Sequence, residues 1–270
     1  MADEERVALV TGASRGVGKG VALALGARGW TVYVTGRTLR SIDGPSLEAT
    51  VAEIEARGGH AIACECDHAD DAQVRAVFDR IQTERGRLDL LVNNVFAIPK
   101  EPIWGKPFWE QPLAHWDLMH TIGLRSHFVA SVYAAPWLLK APRGLIVNIS
   151  SFAGGSYQLN VAYGVGKAGV DRLAHDMAVE LEPHGVAAVS LWPGIVRTEY
   201  VLSLDRPPFP MGVTESPELT GRAVVALADD PDVLSRTGEA LVVAELAERY
   251  GFVDVDGTRP RSLRRRREGA

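Results

Sequence analysis

The chain has 270 residues, enough for one large domain, and its 46% hydrophobic and 23% charged residues are ordinary for a globular protein. Its formal net charge of -5 argues against a body that binds polyanions, and no apolar run reaches membrane-spanning length. The first residues lack a signal-peptide pattern, and Cys64 and Cys66 are too close in sequence for an ordinary disulfide, so we expect a cytoplasmic protein.

Val7 to Val10 form a short apolar run that is typical of a buried strand. Residues 11–18, which read Thr-Gly-Ala-Ser-Arg-Gly-Val-Gly, follow directly, and a helix is predicted over 19–27. Glycines let backbone amides approach a pyrophosphate and a helix N-terminus favours its charge, so this order indicates a phosphate-binding element. A tight turn without a ligand is the alternative. The candidate contacts are Gly12, Ser14, Arg15, Gly16, Val17 and Gly18.

Strands and helices alternate along the rest of the chain, which implies a parallel sheet covered on both faces. We predict strands over 30–34, 61–66, 88–92, 144–149, 186–191 and 240–243, and helices over 46–57, 71–85, 116–139, 163–180 and 219–228. The predicted fold is α/β, a doubly wound, Rossmann-type parallel sheet in three layers (α/β/α). It forms a single domain over 1–250, followed by a C-terminal extension over 251–270.

The second strand is followed by Arg37, and Arg15 lies in the glycine-rich turn. A dinucleotide-binding fold that takes NAD usually has an acidic residue at this strand end to hold the ribose hydroxyls. Two guanidinium groups suit a ribose 2′-phosphate instead, through charge-assisted bidentate bonds. We therefore predict NADP(H) as the cofactor, with two solvated surface arginines as the alternative.

Polar residues follow the third and fourth strands. Asp67 is placed to bond the adenine amino group, and Asn93 and Asn94 are placed to tie neighbouring loops together and line the adenosine pocket. His68 is close to the two cysteines, but we favour two small buried thiols in a strand and predict no metal site.

Two segments rich in proline are longer than ordinary loops, and long loops in compact domains are often functional. Residues 96–115 interleave prolines with Phe96, Trp104, Phe108 and Trp109, which suggests a flap over a bulky apolar substrate or simple cover for the sheet edge. Residues 199–217 resemble a mobile substrate loop over a pocket.

Tyr163 and Lys167 are four residues apart on a predicted helix, so they share one face, one turn apart. A phenol normally titrates far above neutrality, and a nearby ammonium lowers its pKa. Such a pair can pass a proton to or from an oxygen at physiological pH. A Tyr and a Lys four residues apart occur often by chance. The interpretation as a proton-transferring pair therefore depends on the motifs on either side of it.

Six arginines lie between 259 and 267. They could meet nucleic acid or anionic lipid, but we favour a solvated, disordered terminus because the body is acidic. We predict neither a nucleic-acid nor a membrane partner.

With these motifs in this order, the sequence resembles the short-chain dehydrogenase/reductase family. The matching residues are Thr11-Gly12-x-x-x-Gly16-x-Gly18, Asp67, Asn93-Asn94, Ser150-Ser151, Tyr163-x-x-x-Lys167, Pro193-Gly194 and Thr198. The likeness spans residues 7 to about 200, with sheet-like continuation to about 245. Residues 163–167, 190–196 and 250–257 indicate one particular branch of that family.

The resemblance implies a role for each matching residue. Tyr163 acts as general acid in carbonyl reduction, or as base in alcohol oxidation, and Lys167 lowers its pKa and bonds the nicotinamide ribose. A serine holds the substrate oxygen. Thr198 and the backbone near Ile195 and Val196 hold the nicotinamide carboxamide, and Pro193 and Gly194 also bind the cofactor. The resemblance also implies a homodimer or homotetramer formed through the long helix and the Tyr163 helix.

The sequence departs from the family pattern at three places. Counting back from Tyr163 assigns the catalytic serine to Ser150, whereas aligning the strand end assigns it to Ser151, which we prefer because loops absorb deletions more easily than strands. Gly123 stands where the family often has an Asn of a proton relay, and Phe96 stands where it has a Gly.

We predict an NADP(H)-dependent oxidoreductase that interconverts a carbonyl and a secondary alcohol, with reduction of apolar ketones, aldehydes or steroid-like substrates as the favoured direction. The catalytic residues are Ser151, Tyr163 and Lys167. Gly123 and Phe96 keep open a rival of another class, a cofactor-binding regulator or scaffold with little turnover. Within the enzyme class, an NAD-dependent alcohol dehydrogenase is the nearest competitor.

Overall fold

The strands of the computed structural model, which describes residues 5–99, 101, 105–205 and 209–264, are Val7–Val10 (β1), Thr31–Gly36 (β2), His60–Glu65 (β3), Leu90–Asn93 (β4), Leu145–Ile149 (β5), Ala187–Trp192 (β6), Ile195–Val196 (β7), Thr214–Glu215 (β8) and Ala240–Val242 (β9). Seven of them form one sheet in the order β3-β2-β1-β4-β5-β6-β9. All its neighbouring strands are parallel, and β7 and β8 form a separate small pair. Each of the seven predicted strands is present, with ends shifted by at most two residues.

The α-helices of the described chain are Gly16–Gly26 (α1), Leu47–Ala56 (α2), Asp71–Arg85 (α3), Leu113–His120 (α4), Ser126–Leu138 (α5), Val161–Leu181 (α6), Glu199–Leu202 (α7), Pro217–Asp229 (α8) and Val243–Tyr250 (α9). Polar side chains cap several of their N-termini. Ser46 accepts a hydrogen bond from the amide of Ala49 at the start of α2, and Asp70 accepts bonds from the first turn of α3. These caps satisfy amides that would otherwise lack a partner.

The sheet separates two hydrophobic cores, because its strands bury side chains on both faces. Ala8 and Val10 point into a core built with α1, α2 and α8, whereas Val7 and Leu9 point into a core built with α3, α5 and α6. A sheet buried on both faces is typical of parallel α/β proteins. The predicted doubly wound, three-layer α/β fold is confirmed.

The long helix predicted over 116–139 is wrong in one respect. A π-helical turn, Thr121–Arg125, separates α4 from α5, and α4 already begins at Leu113 inside the segment expected to be irregular. π-Helical turns within helices are frequent at functional sites. Gly123 lies in this turn, which packs against α6.

The expectation of a solvated, disordered tail is wrong for residues 262–264, whereas Arg259 and Arg261 are exposed. Ser262 is buried and donates a hydrogen bond to Glu245, and the Arg264 guanidinium lies 5.4 Å from the centre of the Trp192 ring. These contacts pack the end of the described chain behind β6. Trp104 lies outside the described residues, and so do parts of the segments 96–115, 199–217 and 259–267 named above, among them Pro102, Pro207, Pro208 and Arg265 to Arg267.

Candidate active site

The carboxyl ends of β1, β4, β5 and β6 lie side by side along one edge of the sheet. The chain builds outward from β1 to β3 and then returns to β4 on the other side of β1. Open α/β sheets bind ligands at such a point of reversal, outside the carboxyl ends of the strands. The motifs that follow these four strands therefore meet at one place.

The glycine-rich turn after β1 allows very close backbone contacts. Gly12 has a φ of +69°, and a Cβ there would lie 2.8 Å from the Cα of Val95. A Cβ at Gly18 would lie 2.4 Å from both the Asn94 amide nitrogen and the Gly12 carbonyl oxygen. Only glycine fits at these positions. Ser14 and Val17 are half-buried in the same turn.

The first backbone amide of α1 already binds an anionic oxygen. Gly16 N–H donates a hydrogen bond of 2.8 Å to the Glu199 carboxylate at the start of α7. The N-cap residue Arg15 provides no side-chain cap. A carboxylate here stands in for the phosphate oxygen that a helix N-terminus favours. The turn therefore fits the pyrophosphate of a nicotinamide dinucleotide, and sequence reasoning missed Glu199.

Arg15 and Arg37 are exposed on either side of this turn, and neither makes an ion pair or side-chain hydrogen bond within the described chain. Asp67 follows β3, and its carboxylate accepts a hydrogen bond of 3.0 Å from the amide of Ala69. Its half-buried side chain lies at the same sheet edge, as predicted for a residue that meets the adenine.

Asn93 differs from its predicted place in the adenosine pocket. Its side chain is fully buried and donates to the His127 carbonyl oxygen, the Ser131 hydroxyl and the Asn148 amide oxygen. The side chain thus ties β4 to α5 and β5, and only its backbone is left to meet a cofactor. Asn94 has the predicted tying role, because its amide donates to the Thr11 and Gly12 carbonyl oxygens.

Ser151, Tyr163 and Lys167 meet where β5 ends and α6 begins. Asn160 caps α6 by accepting a hydrogen bond of 2.8 Å from the Tyr163 amide, which places Tyr163 in the first turn. The Ser151 side chain faces the Tyr163 phenol and favours its ionised form. One turn later Lys167 is buried, and its Nζ donates a hydrogen bond of 3.0 Å to the Ile149 carbonyl oxygen.

The two neighbouring serines face opposite sides. Ser150 is buried, and its hydroxyl donates 3.1 Å to the Lys167 carbonyl oxygen inside the protein. Ser151 is half-buried and faces Tyr163. An extended segment turns successive side chains to opposite sides, so one of the two can reach the site.

The pKa of the Tyr163 phenol is shifted in the direction opposite to the one that the sequence predicts. Its pKa is raised above the ordinary value by burial, and the hydrogen bond from Ser151 opposes that rise only in part. The prediction of a lowered pKa is therefore wrong for this structure, because desolvation disfavours the phenolate. Burial also lowers the pKa of Lys167 to about 8, against the opposing charge of Asp171.

Phe96 and Gly123, the two departures from the family pattern, lie against each other. A Cβ at Gly123 would come within 2.6 Å of the Phe96 ring. That ring packs edge-on against Tyr163, with ring centres 5.6 Å apart, and the Lys167 Nζ lies 4.9 Å from its centre.

The segment after β6 closes the site from the other side. Gly194 N–H donates 2.9 Å to the Glu215 carboxylate, and Val196 pairs with Glu215 in the small β7–β8 sheet. The Thr198 methyl group would lie 3.3 Å from a Cβ at Gly16. Pro193, Gly194, Val196 and Thr198 therefore lie across the cleft from the glycine-rich turn. Burial raises the pKa of Glu215 to about 7.

Large apolar side chains are exposed on α4 and α7 and on the segments before α4, before α6 and after α7. They are Phe108, Trp109, Leu113, Trp116, Tyr157, Leu202 and Met211. Within the described ranges, no cluster of three His, Cys, Asp or Glu side chains could hold a metal ion. Cys64 and Cys66 are free and buried, as predicted. No helix of the described residues has the length and apolar character needed to cross a bilayer.

Known proteins resemble this chain in both sequence and architecture. The family model described as short chain dehydrogenase matches residues 6–207. Dehydrogenase/reductase SDR family member 1 of Mus musculus is 45% identical over 267 residues, 93% of this chain and 84% of the mouse protein. The 3-oxoacyl-[acyl-carrier-protein] reductase of Synechocystis is 32% identical, over 88% of this chain and 95% of that protein.

A crystal structure of a metagenomic short-chain oxidoreductase in complex with NADP is 32% identical. It superposes with a TM-score of 0.72 over 88% of this chain and 96% of that chain. This chain belongs to the short-chain dehydrogenase family, and the branch predicted from its sequence, that of the mouse relative, is confirmed.

Proposed function

We propose that this short-chain dehydrogenase is an NADP(H)-dependent oxidoreductase that interconverts a carbonyl and a secondary alcohol. The observation that carries the proposal is the arrangement of Ser151, Tyr163 and Lys167. The two hydroxyl groups, which face each other, and the buried ammonium lie at the sheet edge that also carries the glycine-rich turn.

In the reducing direction the phenol of Tyr163 is the proton donor. Its raised pKa keeps it protonated at neutral pH, so it can donate to the substrate oxygen as negative charge develops there. The Ser151 hydroxyl orients the same oxygen by a second hydrogen bond. The cofactor, when bound, supplies the hydride. Lys167, with its pKa lowered to about 8, is mostly cationic at pH 7 and stabilises the phenolate that remains.

The choice of NADP(H) over NAD(H) rests on Arg15 and Arg37. Both are exposed beside the turn that would hold the pyrophosphate, with no ion pair among the described residues to neutralise them. Two free guanidinium groups suit a 2′-phosphate. The related structure that contains NADP is consistent with this choice.

The exposed aromatic and aliphatic side chains of α4, α7 and the segments beside them favour an apolar substrate. Contiguous apolar surface beside a polar site marks a region that binds a ligand or partner. The relative named as a 3-oxoacyl reductase supports a ketone as the reacting group. We infer apolar ketones and aldehydes, including steroid-like ones, as the substrate class.

The proposal extends to assembly and location. Phe128 and Val132 on α5 and Val165 and Val179 on α6 are exposed apolar side chains. Isologous pairing through these two helices would cover them, so we infer a homodimer or homotetramer. The free thiols suit a reducing, cytoplasmic compartment.

The test is NADPH oxidation across a panel of apolar ketones, quinones and aldehydes, with Tyr163→Phe beside the unaltered protein. Tyr157→Phe is the matched control, because Tyr157 is 75% exposed near the same site. We expect turnover that is lost in Tyr163→Phe and kept in Tyr157→Phe. NADPH binding without turnover on any substrate would favour the rival, a regulator or scaffold, which the unusual Phe96–Gly123 pair keeps in view.

A further inference from the structure

Phe96 touches both members of the proton-donating pair. Its ring meets the Tyr163 ring edge-on at an interplanar angle of 76°, and the Lys167 Nζ lies 4.9 Å from its centre. The same nitrogen lies 6.0 Å from the centre of the Tyr163 ring. Phe96 is therefore the aromatic ring nearer to the ammonium.

The ammonium of Lys167 has few other partners. Within the described residues, its one hydrogen bond goes to the Ile149 carbonyl oxygen, although an ammonium has three N–H groups to place. The charged groups that act on it are Asp171 on its own helix and, when protonated, His127 on α5. His127 is fully desolvated and stays neutral near pH 7, since its pKa is lowered to about 3. A ring face beside a desolvated cation then becomes a large part of its stabilisation.

Gly123 is what allows the ring to lie there. A Cβ at Gly123 would be 2.6 Å and 2.9 Å from two carbons of the Phe96 ring, closer than real Cβ contacts. Gly123 belongs to the π-helical turn that interrupts the long helix, and it is buried. Any larger residue at 123 would push the ring off Lys167 or Tyr163.

We propose that Phe96 is a positioning residue, whose ring holds the Lys167 ammonium beside Tyr163, and that Gly123 is the partner that makes room for it. This inference rests on the proposed function for its catalytic consequence, but the contact itself can be tested without turnover.

The direct test is the titration of Lys167 itself. The chain has five lysines, so NMR of protein labelled on lysine carbons resolves each one, and a Lys167→Met variant assigns the signal. In Phe96→Leu, which keeps an apolar side chain but removes the ring face, we expect the pKa of Lys167 to fall by about one unit. An unchanged or higher pKa would overturn the proposal.

Phe78→Leu is the matched control for loss of a buried aromatic ring. Phe78 is 4% exposed and packs against Tyr133 on the core formed by α3, α5 and α6. It should lower the unfolding temperature and leave the Lys167 titration unchanged. An equal shift in Phe78→Leu would mean that the effect is general loosening, against the proposal.

Gly123→Ala supplies a second, independent arm, because its added methyl group displaces the ring without changing it. We expect the same downward shift, and no further shift when the change is added to Phe96→Leu, since both act on one contact. Additive shifts would contradict the proposal. Where the enzyme turns over, the pH at which kcat declines should move with the Lys167 pKa while KM stays within about twofold. Absence of turnover in the unaltered protein would instead reject the proposed function and leave the NMR result standing.

Discussion

The two walls of the cleft are built differently. The wall that follows β1 and β2 carries two exposed arginines, Arg15 and Arg37, which have no ion-pair partners among the described residues. The wall that follows β5 and β6 is buried, and its charged groups, Lys167 and Glu215, have pKa values shifted toward neutrality by desolvation. The charges of the first wall are free to meet a ligand. The protonation states of the charged groups in the second wall depend on the side chains around them.

This difference teaches where coupling is to be expected. Exposed charges act on a ligand nearly independently, because water screens them from each other. Buried charges act through neighbours, so a change at Phe96 or Asp171 alters what Lys167 does. Substitutions at the first wall should therefore have simple, separable effects, whereas those at the second should change stability, pH dependence and turnover together.

We expect the largest effect from removal of the Ser151 hydroxyl, which tests the buried wall. Ser151→Ala loses the partner of the Tyr163 hydroxyl, so we expect kcat to fall by about 10²–10³-fold with NADPH affinity unchanged. Ser150→Ala loses only an internal bond to the Lys167 carbonyl oxygen and should cost about 1 kcal/mol of unfolding free energy while keeping turnover. Steady-state kinetics and denaturant unfolding check both. The opposite pattern would assign the catalytic role to Ser150.

Reversal of charge at Arg37 tests the exposed wall. In Arg37→Asp we expect the preference for NADPH over NADH to fall by about 10–100-fold, because a charge-assisted bond to the 2′-phosphate contributes about 1.5–3 kcal/mol. Ratios of kcat/KM for the two cofactors measure it. Arg40→Asp makes the same charge change three positions on, at a guanidinium already paired with Glu48, and should alter the ratio little. An equal change of the cofactor preference in both variants would show that the charge at 37 acts through long-range electrostatics and not through a direct contact with the 2′-phosphate.

The Glu215 carboxyl should make stability depend on pH. Its folded pKa of about 7 lies above the unfolded value of about 4.3, so between these values the folded state holds a proton that the unfolded state has lost. Stability therefore falls as pH rises through this window, by about 3–4 kcal/mol, and stays reduced above it. Glu215→Gln should remove that part of the pH dependence. The free energy of unfolding of the unaltered protein and of Glu215→Gln is measured with denaturant at pH 5 and pH 8. An equal change between the two pH values in both proteins would refute the prediction.

The smallest expected effect concerns the contact that joins the two walls. The Glu199 carboxylate accepts a hydrogen bond from the Gly16 amide, which we propose as a pyrophosphate contact, so cofactor binding there would displace it. In Glu199→Gln, where the competing charge is gone, we expect NADPH to bind about two- to fivefold tighter, the effect of one charge near a helix N-terminus. Fluorescence titration measures it, with Glu180→Gln, an exposed residue on α6, as control. Weaker binding in Glu199→Gln would mean that this carboxylate supports the site.

Much of the fold follows from local patterns. The apolar runs before the glycine-rich turn and before Ser150 gave strand positions close to those observed, and the Asp71–Arg85 helix is predicted to the residue. The break of the long helix at Thr121–Arg125 has no such pattern, since residues on both sides favour helix equally. A π-helical turn is decided by what packs against it, here Phe96 on Gly123.

The site divides in the same way. Tyr163, Lys167 and the glycines carry recognisable spacing, because helical period and backbone approach are local requirements. Glu199 and Glu215 lie in a proline-rich segment without a pattern, and only their contacts with Gly16 and Gly194 reveal them. Asn93 shows the converse. The sequence places it correctly at the end of β4, but its side chain turns inward and holds β4, β5 and α5 together.

The sequence by itself determined the alternation of strands and helices, the place of the phosphate-binding turn and the Tyr163–Lys167 pair, because these depend on neighbours along the chain. The tertiary structure alone decided which serine meets Tyr163, the direction in which the Tyr163 pKa moves and the partner of Phe96. Desolvation and packing involve groups that are distant in sequence, so no local pattern records them.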